Sequence, residues 1–302
     1  MTPPRPHLAS RIAGQLPATL LVLTLGASPL GAQGPAPAAA PAIPAPSAPS
    51  APLAPAAAPA TSPPTPPPGS PAPDLPLAQR IVLEQERLLR GQASIGELEL
   101  FIQRWERTLR VAFWERYPDR FLATILEPAA ERGSGALKLG QDLHTYDPRI
   151  DQVQRIPTSL LLDPWMGSEF TNDDISRASS IARDYDAGPP IAGSRAGVTT
   201  WRVPLVPKPS SPVVWERLVL EVAQDDLRPL REEFYDERDE LVRVLLFEDF
   251  RLLDDGRRYP FRWRMENHQV AGRYTEVRIQ SIRFADSLPD DLFSLRSLKQ
   301  PR

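Results

Sequence analysis

No cysteine occurs anywhere in this chain, which removes a disulfide framework, a thiolate nucleophile and the lipid-attachment cysteine of a lipoprotein. Histidine is nearly as scarce. Of the three present, His7 lies in the leading segment, and His144 and His268 stand far apart, outside any ligand-spaced cluster of the kind a zinc site needs. No G-x-S-x-G elbow occurs, so a serine-hydrolase reading finds no support. Long apolar runs are missing too: the longest, Ala18–Ala27, is about half of the ~20 residues that span a bilayer as a helix. Neither charge dominates, with 35 basic against 38 acidic residues and a net charge of −3, which argues against nucleic acid as a partner. No motif for a metal or organic cofactor is present, and none is expected.

What is present is uneven. Residues 1–32 carry Arg5 and Arg11, no acid, the short apolar run and then small residues through Gly31 and Ala32, the pattern of a secretory signal peptide. Removing it takes the net charge to −5 and implies a periplasmic location; retained, it becomes an inner-membrane tether. Residues 33–74 hold 16 Pro and 14 Ala, a composition that cannot bury a core and reads as an extended disordered linker. Order is expected over 75–302 as one domain.

Leu77, Ile81, Leu88 and Leu89 fall near one helical face and Gly91 follows, so an amphipathic helix is predicted over 77–90. The period then changes to two. Strands are predicted at 108–113, 121–126, 136–139, 143–146, 153–156, 201–206, 215–222, 230–235, 241–247, 259–265 and 275–284. Ten or eleven strands with one or two helices define a mainly β chain with some α. A sheet of that size curls around its apolar face, so the expected architecture is a curved antiparallel half-barrel covered by a helical lid.

Paired acids at Asp173–Asp174, Asp225–Asp226, Asp254–Asp255 and Asp290–Asp291 raise the possibility of an enzyme acting on envelope glycans or lipids. Three of the pairs read as turn residues. The first reads as helix punctuation, with Thr171 as cap and Asp174 three residues on. The apolar inventory carries more information: Trp105, Trp114, Trp165, Trp201, Trp215 and Trp263 all fall in the ordered part, where they serve either as solid core or as the wall of a hollow.

The segment from Leu162 to Ser176, LDPWMGSEFTNDDIS, and the GALKLGQDLHTYDP stretch before it are the most distinctive of the chain. Gly135, Leu137, Gly140, Asp142, Leu143, Tyr146, Pro148, Ile156 and Pro157 precede the loop motif Met166, Gly167, Ser168, Phe170, Thr171, Asn172, Asp173 and Asp174. Tyr259, Pro260, Trp263, Arg264, Met265 and Asn267 follow, with LPDDLFSL at 288–295. In this order and spacing the chain resembles the outer-membrane lipoprotein-sorting proteins, the LolA/LolB-like carriers, from about Leu98 to Leu298. His144 departs from that pattern, standing where the family usually has Trp.

The resemblance implies a periplasmic carrier or chaperone without a catalytic step. Its partners would be lipoprotein acyl chains or another envelope lipid, with an inner-membrane exporter as donor and an outer-membrane acceptor, and the protein itself a monomer. Residues expected to face the cavity or its lid are Leu109, Val111, Phe113, Leu137, Tyr146, Trp165, Met166, Phe170, Leu218, Leu220, Phe261, Trp263 and Met265. The alternative is a structural or adaptor protein of an envelope or exporter complex, with the sheet packed solid inside.

Overall fold

In a computed structural model the described residues are 75–300, apart from 178–180, 210 and 212. The expected signal peptide and linker lie outside them. The first element is a helix, α1 (Leu77–Arg90), with the bounds the periodicity predicts. Ala78, Ile81, Val82, Gln85 and Leu88 form its buried stripe, at the i, i+3, i+4, i+7 spacing of one helix face. Gly91, at φ 62°, ends it, and its N–H returns to the Arg87 carbonyl at 3.1 Å.

Fourteen strands follow: β1 (Ala93–Ile102), β2 (Arg107–Arg116), β3 (Arg120–Glu127), β4 (Gly135–Leu139), β5 (Asp142–Asp147), β6 (Gln152–Arg155), β7 (Tyr185–Ala187), β8 (Ile191–Arg195), β9 (Val198–Pro207), β10 (Arg217–Ala223), β11 (Pro229–Tyr235), β12 (Leu241–Leu252), β13 (Arg258–Asn267) and β14 (Tyr274–Ala285). Short helices α2 (Asn172–Arg177), α3 (Ile181–Asp184) and α4 (Leu295–Leu298) complete the chain.

All strands join one antiparallel sheet in the order β6-β5-β4-β3-β2-β1-β14-β13-β12-β11-β10-β9-β7, with β8 also paired to β9. The sheet is curved and unclosed, and the mainly β half-barrel class holds. The strand count exceeds the expected ten or eleven because β1, β7 and β8 were not anticipated. β7 and β8 are too short to show a period. β1 does alternate, with Ile95 and Glu97 on one face and Leu98, Leu100 and Ile102 on the other beyond a register shift at Glu97/Leu98. It begins only two residues beyond α1.

The inner face carries two apolar clusters, one around Ile81, Leu205, Leu220, Phe247 and Met265 and one around Leu100, Leu109, Val111, Ile125 and Ile279. A third sits on the outer face of β3 and β4, where Leu122 and Leu137 pack against Leu288, Phe293 and Leu298 from the segment after β14. β3 and β4 are therefore covered on both faces. This explains why FLATIL and GALKL put apolar residues on both faces instead of alternating apolar with polar.

Candidate functional site: an apolar hollow under a helix and a pinned loop

Between the inner face of the sheet, α1 and the segment before α2 lies a cavity of about 270 Å³. A cavity of ~150 Å³ holds a benzene ring, so by proportion this one has room for roughly ten carbons. Val82, Gln85, Glu86, Leu89 and Arg90 of α1 form its cover, and Leu98, Leu100, Val111, Leu218, Leu220, Leu245, Phe247, Val277 and Ile279 belong to its wall. Phe113 lies across Gly96, where a Cβ would come within 2.8 Å of the ring. Glycine at that register position is what lets the aromatic side chain lie flat on β1.

Eight of the thirteen residues expected at the cavity line it: Val111, Phe113, Trp165, Phe170, Leu218, Leu220, Trp263 and Met265. The other five do not. Leu109 is inward but fully packed in the second cluster. Leu137 and Tyr146 belong to the outer cluster, because the alternation of β4 sends Ala136 inward and Leu137 out. Phe261 is turned against Tyr259 and the Arg251 guanidinium. Met166, at φ 53° in a left-handed turn, packs against the second inner cluster without reaching the cavity.

That turn belongs to the loop motif, which the structure draws together. Met166 and Gly167 are both left-handed, and a Cβ on Gly167 would sit 3.2 Å from the Trp105 Nε1. The Phe170 carbonyl accepts the Trp165 N–H at 2.7 Å, and the Ser168 hydroxyl donates to the Trp165 carbonyl at 2.7 Å. The Asn172 amide donates to the Leu160 carbonyl at 2.9 Å. Thr171 and Asp174 form the anticipated cap: Asp174 Oδ2 accepts the Thr171 N–H at 2.7 Å, and the Thr171 hydroxyl accepts the Asp174 N–H at 3.2 Å. Asp173 is buried at the cavity wall.

The loop is then fastened to the sheet by charge. Arg243 of β12 clasps the Asp174 carboxylate with both terminal nitrogens, and its guanidinium lies 4.4 Å from the Trp215 ring centre and 4.3 Å from that of Phe234. Glu169 is held by Arg273 at 2.7 Å and by the Asn267 amide at 2.7 Å, while its N–H donates to the Thr275 hydroxyl at 2.8 Å. At the other end of the cavity, Glu86 accepts the Ala182 N–H at 3.0 Å and the Tyr117 hydroxyl at 3.1 Å. Burial raises its carboxyl above the ordinary range despite those donors, and burial pushes the Tyr117 phenol up to about 12. Lys138 donates to the Pro118 carbonyl at 3.1 Å, and burial, with the Arg90 charge nearby, brings its ammonium down to about 8.

The polar groups at the cavity were missed by reasoning from sequence. Gln85, Glu86 and Arg90 lie on the covering helix, and Glu232 on the wall. The signal for Glu232 was available: in PLREEFY it shares a phase with Phe234, which places an acid on an apolar strand face. Among the described residues no group of His, Cys, Asp and Glu is arranged to hold a metal, and no helix is long and apolar enough to cross a membrane.

An unclosed antiparallel half-barrel with an apolar hollow under a helix is the carrier-like fold of LolA type. The chain belongs to the family whose model, described only as that of an uncharacterized protein, matches residues 118–300, and its fold is LolA-like. Solved structures agree on the fold. A lipoprotein-sorting protein domain from Vibrio parahaemolyticus is 24% identical over 74% of this chain and 98% of its own, with a TM-score of 0.63. A protein from Desulfovibrio piger, from a domain family of unknown function, is 23% identical over 73% and 97%, with a TM-score of 0.66. A LolA superfamily protein from Nitrosomonas europaea is 23% identical over 73% and 98%, with a TM-score of 0.61. Comparison with curated proteins gives no match.

Proposed function

We propose that the protein is a periplasmic carrier that holds an acyl chain, of a lipoprotein or of another envelope lipid, in the hollow of the half-barrel and hands it on towards the outer membrane without a catalytic step. The observation that carries this reading is the cavity of about 270 Å³ walled largely by aliphatic and aromatic side chains. The 1–32 segment, read as an export signal, places the carrier beyond the inner membrane, and 33–74 gives it a tether if that signal is retained. Donor and acceptor would be membrane components on either side.

The magnitudes suit a carrier better than a trap. Ten buried methylenes contribute roughly 8 kcal/mol at ~0.8 kcal/mol each, and the loss of translational and rotational freedom offsets at least ~4 kcal/mol. The net affinity is reversible. The lid elements, α1 and the Leu162–Ser176 loop, are candidates for the parts that change between empty and loaded states.

Lipid extraction of the purified full-length protein followed by mass spectrometry, together with titration of a fluorescent fatty acid, tests the proposal. Co-purified lipid and saturable uptake at micromolar concentrations are expected. Neither bound lipid nor uptake by a folded sample would leave the adaptor reading in its place.

A further inference from the structure

The buried glutamates of this protein fall into two kinds. Glu221, Glu233 and Glu276 lie on the outer face, each with an arginine partner: Arg195, Arg202 and Arg278. Glu232 is different. β11 turns it inward, opposite Leu220 on β10 and Leu245 on β12, and all three line the cavity. Its side chain is as buried as the others, at 6% exposed, yet no described residue donates a hydrogen bond to its carboxyl. The cation that acts on it most strongly, Arg243, is already committed to Asp174.

An unpaired carboxyl among leucines is unfavourable unless it is neutral or met by a ligand. Burial, with the Asp174 charge beside it, raises Glu232 to about 7, against the opposing pull of Arg243 and of Arg90 on the covering helix. At the same cavity the indole N–H groups of Trp165 and Trp215 and Oε1 of Gln85 also lack hydrogen-bond partners among the described residues. The hollow thus offers two unused donors, an unused acceptor, and a carboxyl that donates when neutral and accepts when charged. A plain hydrocarbon answers none of them. A second carboxylate offers only acceptors and meets Glu232 and Asp174 as like charges. A hydroxyl donates and accepts at once.

We infer that the cargo is a hydroxylated acyl chain, and that Glu232 is the residue that hydrogen-bonds the hydroxyl inside the hollow. The inference rests on the carrier reading and specifies its substrate class. A lipid of this kind leaves fewer of the cavity's polar groups unmatched than its saturated parent, which is where selectivity against unsubstituted chains arises.

The test is displacement of a fluorescent fatty acid from the full-length protein by octadecanoic acid and by a series of hydroxyoctadecanoic acids that differ only in hydroxyl position. At least one hydroxy acid is expected to displace the probe roughly five- to tenfold more tightly than the parent, as one net hydrogen bond gives. Glu232→Leu should remove that preference, and Glu232→Gln, which still donates and accepts, should keep part of it. The leucine variant is expected to fold, because it replaces an unpaired buried acid with a residue matching its neighbours, and circular dichroism checks this. A preference that survives Glu232→Leu, or equal displacement by parent and hydroxy acids, overturns the assignment and leaves the carrier reading standing. Failure of the probe and of every acid to bind the folded protein overturns both.

Discussion

Asp174 and Arg243 meet in a two-pronged ion pair that joins the central loop to the floor of the half-barrel, with Arg243 Nη1 donating to Asp174 Oδ2 at 2.6 Å. The arginine side chain is 5% exposed and flanked by Trp215 and Phe234. Asp174 is at the same time the acidic member of the cap on α2. One carboxylate therefore sets both the start of the helix and its position over the sheet.

Breaking this pair from either side should loosen the loop. Arg243→Ala leaves a half-buried carboxylate with only its Thr171 donors and is expected to cost about 3 kcal/mol. Asp174→Asn retains some capping and costs less, about 1–3 kcal/mol. Urea denaturation gives the totals. Hydrogen exchange should show faster opening of 162–176 in both variants, with β2 and β14 unaffected; equal acceleration everywhere would contradict a local latch.

The cavity wall and the solid core predict different outcomes for two leucines on inner-facing positions. Leu245→Trp projects into the hollow and should abolish uptake of a fluorescent fatty acid while the protein still folds. Leu109→Ala creates a void in a fully packed site and should cost about 2–5 kcal/mol while leaving uptake at saturating probe intact. A single dissociation-constant series on both variants, paired with their denaturation midpoints, checks the contrast.

The segment after β14 acts as a cover for the outer face of β3 and β4. Leu298 is fully buried there, whereas Leu295 is 46% exposed. Leu298→Ala should cost about 2–5 kcal/mol, and Leu295→Ala within about 0.5 kcal/mol of nothing. Denaturant midpoints at equal slope decide between these values.

Glu232 should also leave a mark on stability against pH. Its folded value, about 7, lies above the ordinary 4.5, so the folded state holds a proton that the unfolded chain has released. The associated stability is fully present below about pH 4.5, declines as pH rises, and is lost once pH passes 7; the full amplitude is roughly 3 kcal/mol. Lys138, lowered to about 8, acts in a separate window between 8 and its ordinary 10.5, where stability rises with pH. The difference in melting temperature between wild type and Glu232→Gln should widen in favour of the variant from pH 5 to pH 8. A pH-independent difference would show that Glu232 does not titrate there.

Much of the fold was legible because its elements are patterned locally. The stripe of α1 and the alternation of β2, β10 and β13 need only their own residues, and the Thr171–Asp174 cap is a four-residue signal. The phase of β4 was not legible. Ala136 and Leu137 are both apolar, and only the return of Leu298 to the outer face decides which of them turns away from the cavity. Tyr146 fails for the same reason, being drawn to the outer cluster beside Leu137. Glu232 escaped notice because charge along β11 suggests a solvated strand, until its partners across the sheet prove to be Leu220 and Leu245.

The seam between β1 and β14, with Ala93 opposite Ala285, has a consequence for the order of events in assembly. Each arm of the wall is a meander of neighbours that zips from its own turns, but the two arms join only through residues at opposite ends of the domain, a pairing that carries a large loop-closure entropy and forms slowly. The hollow therefore comes into being at the final step, and on the carrier reading proposed above an incomplete chain has nothing with which to hold a ligand.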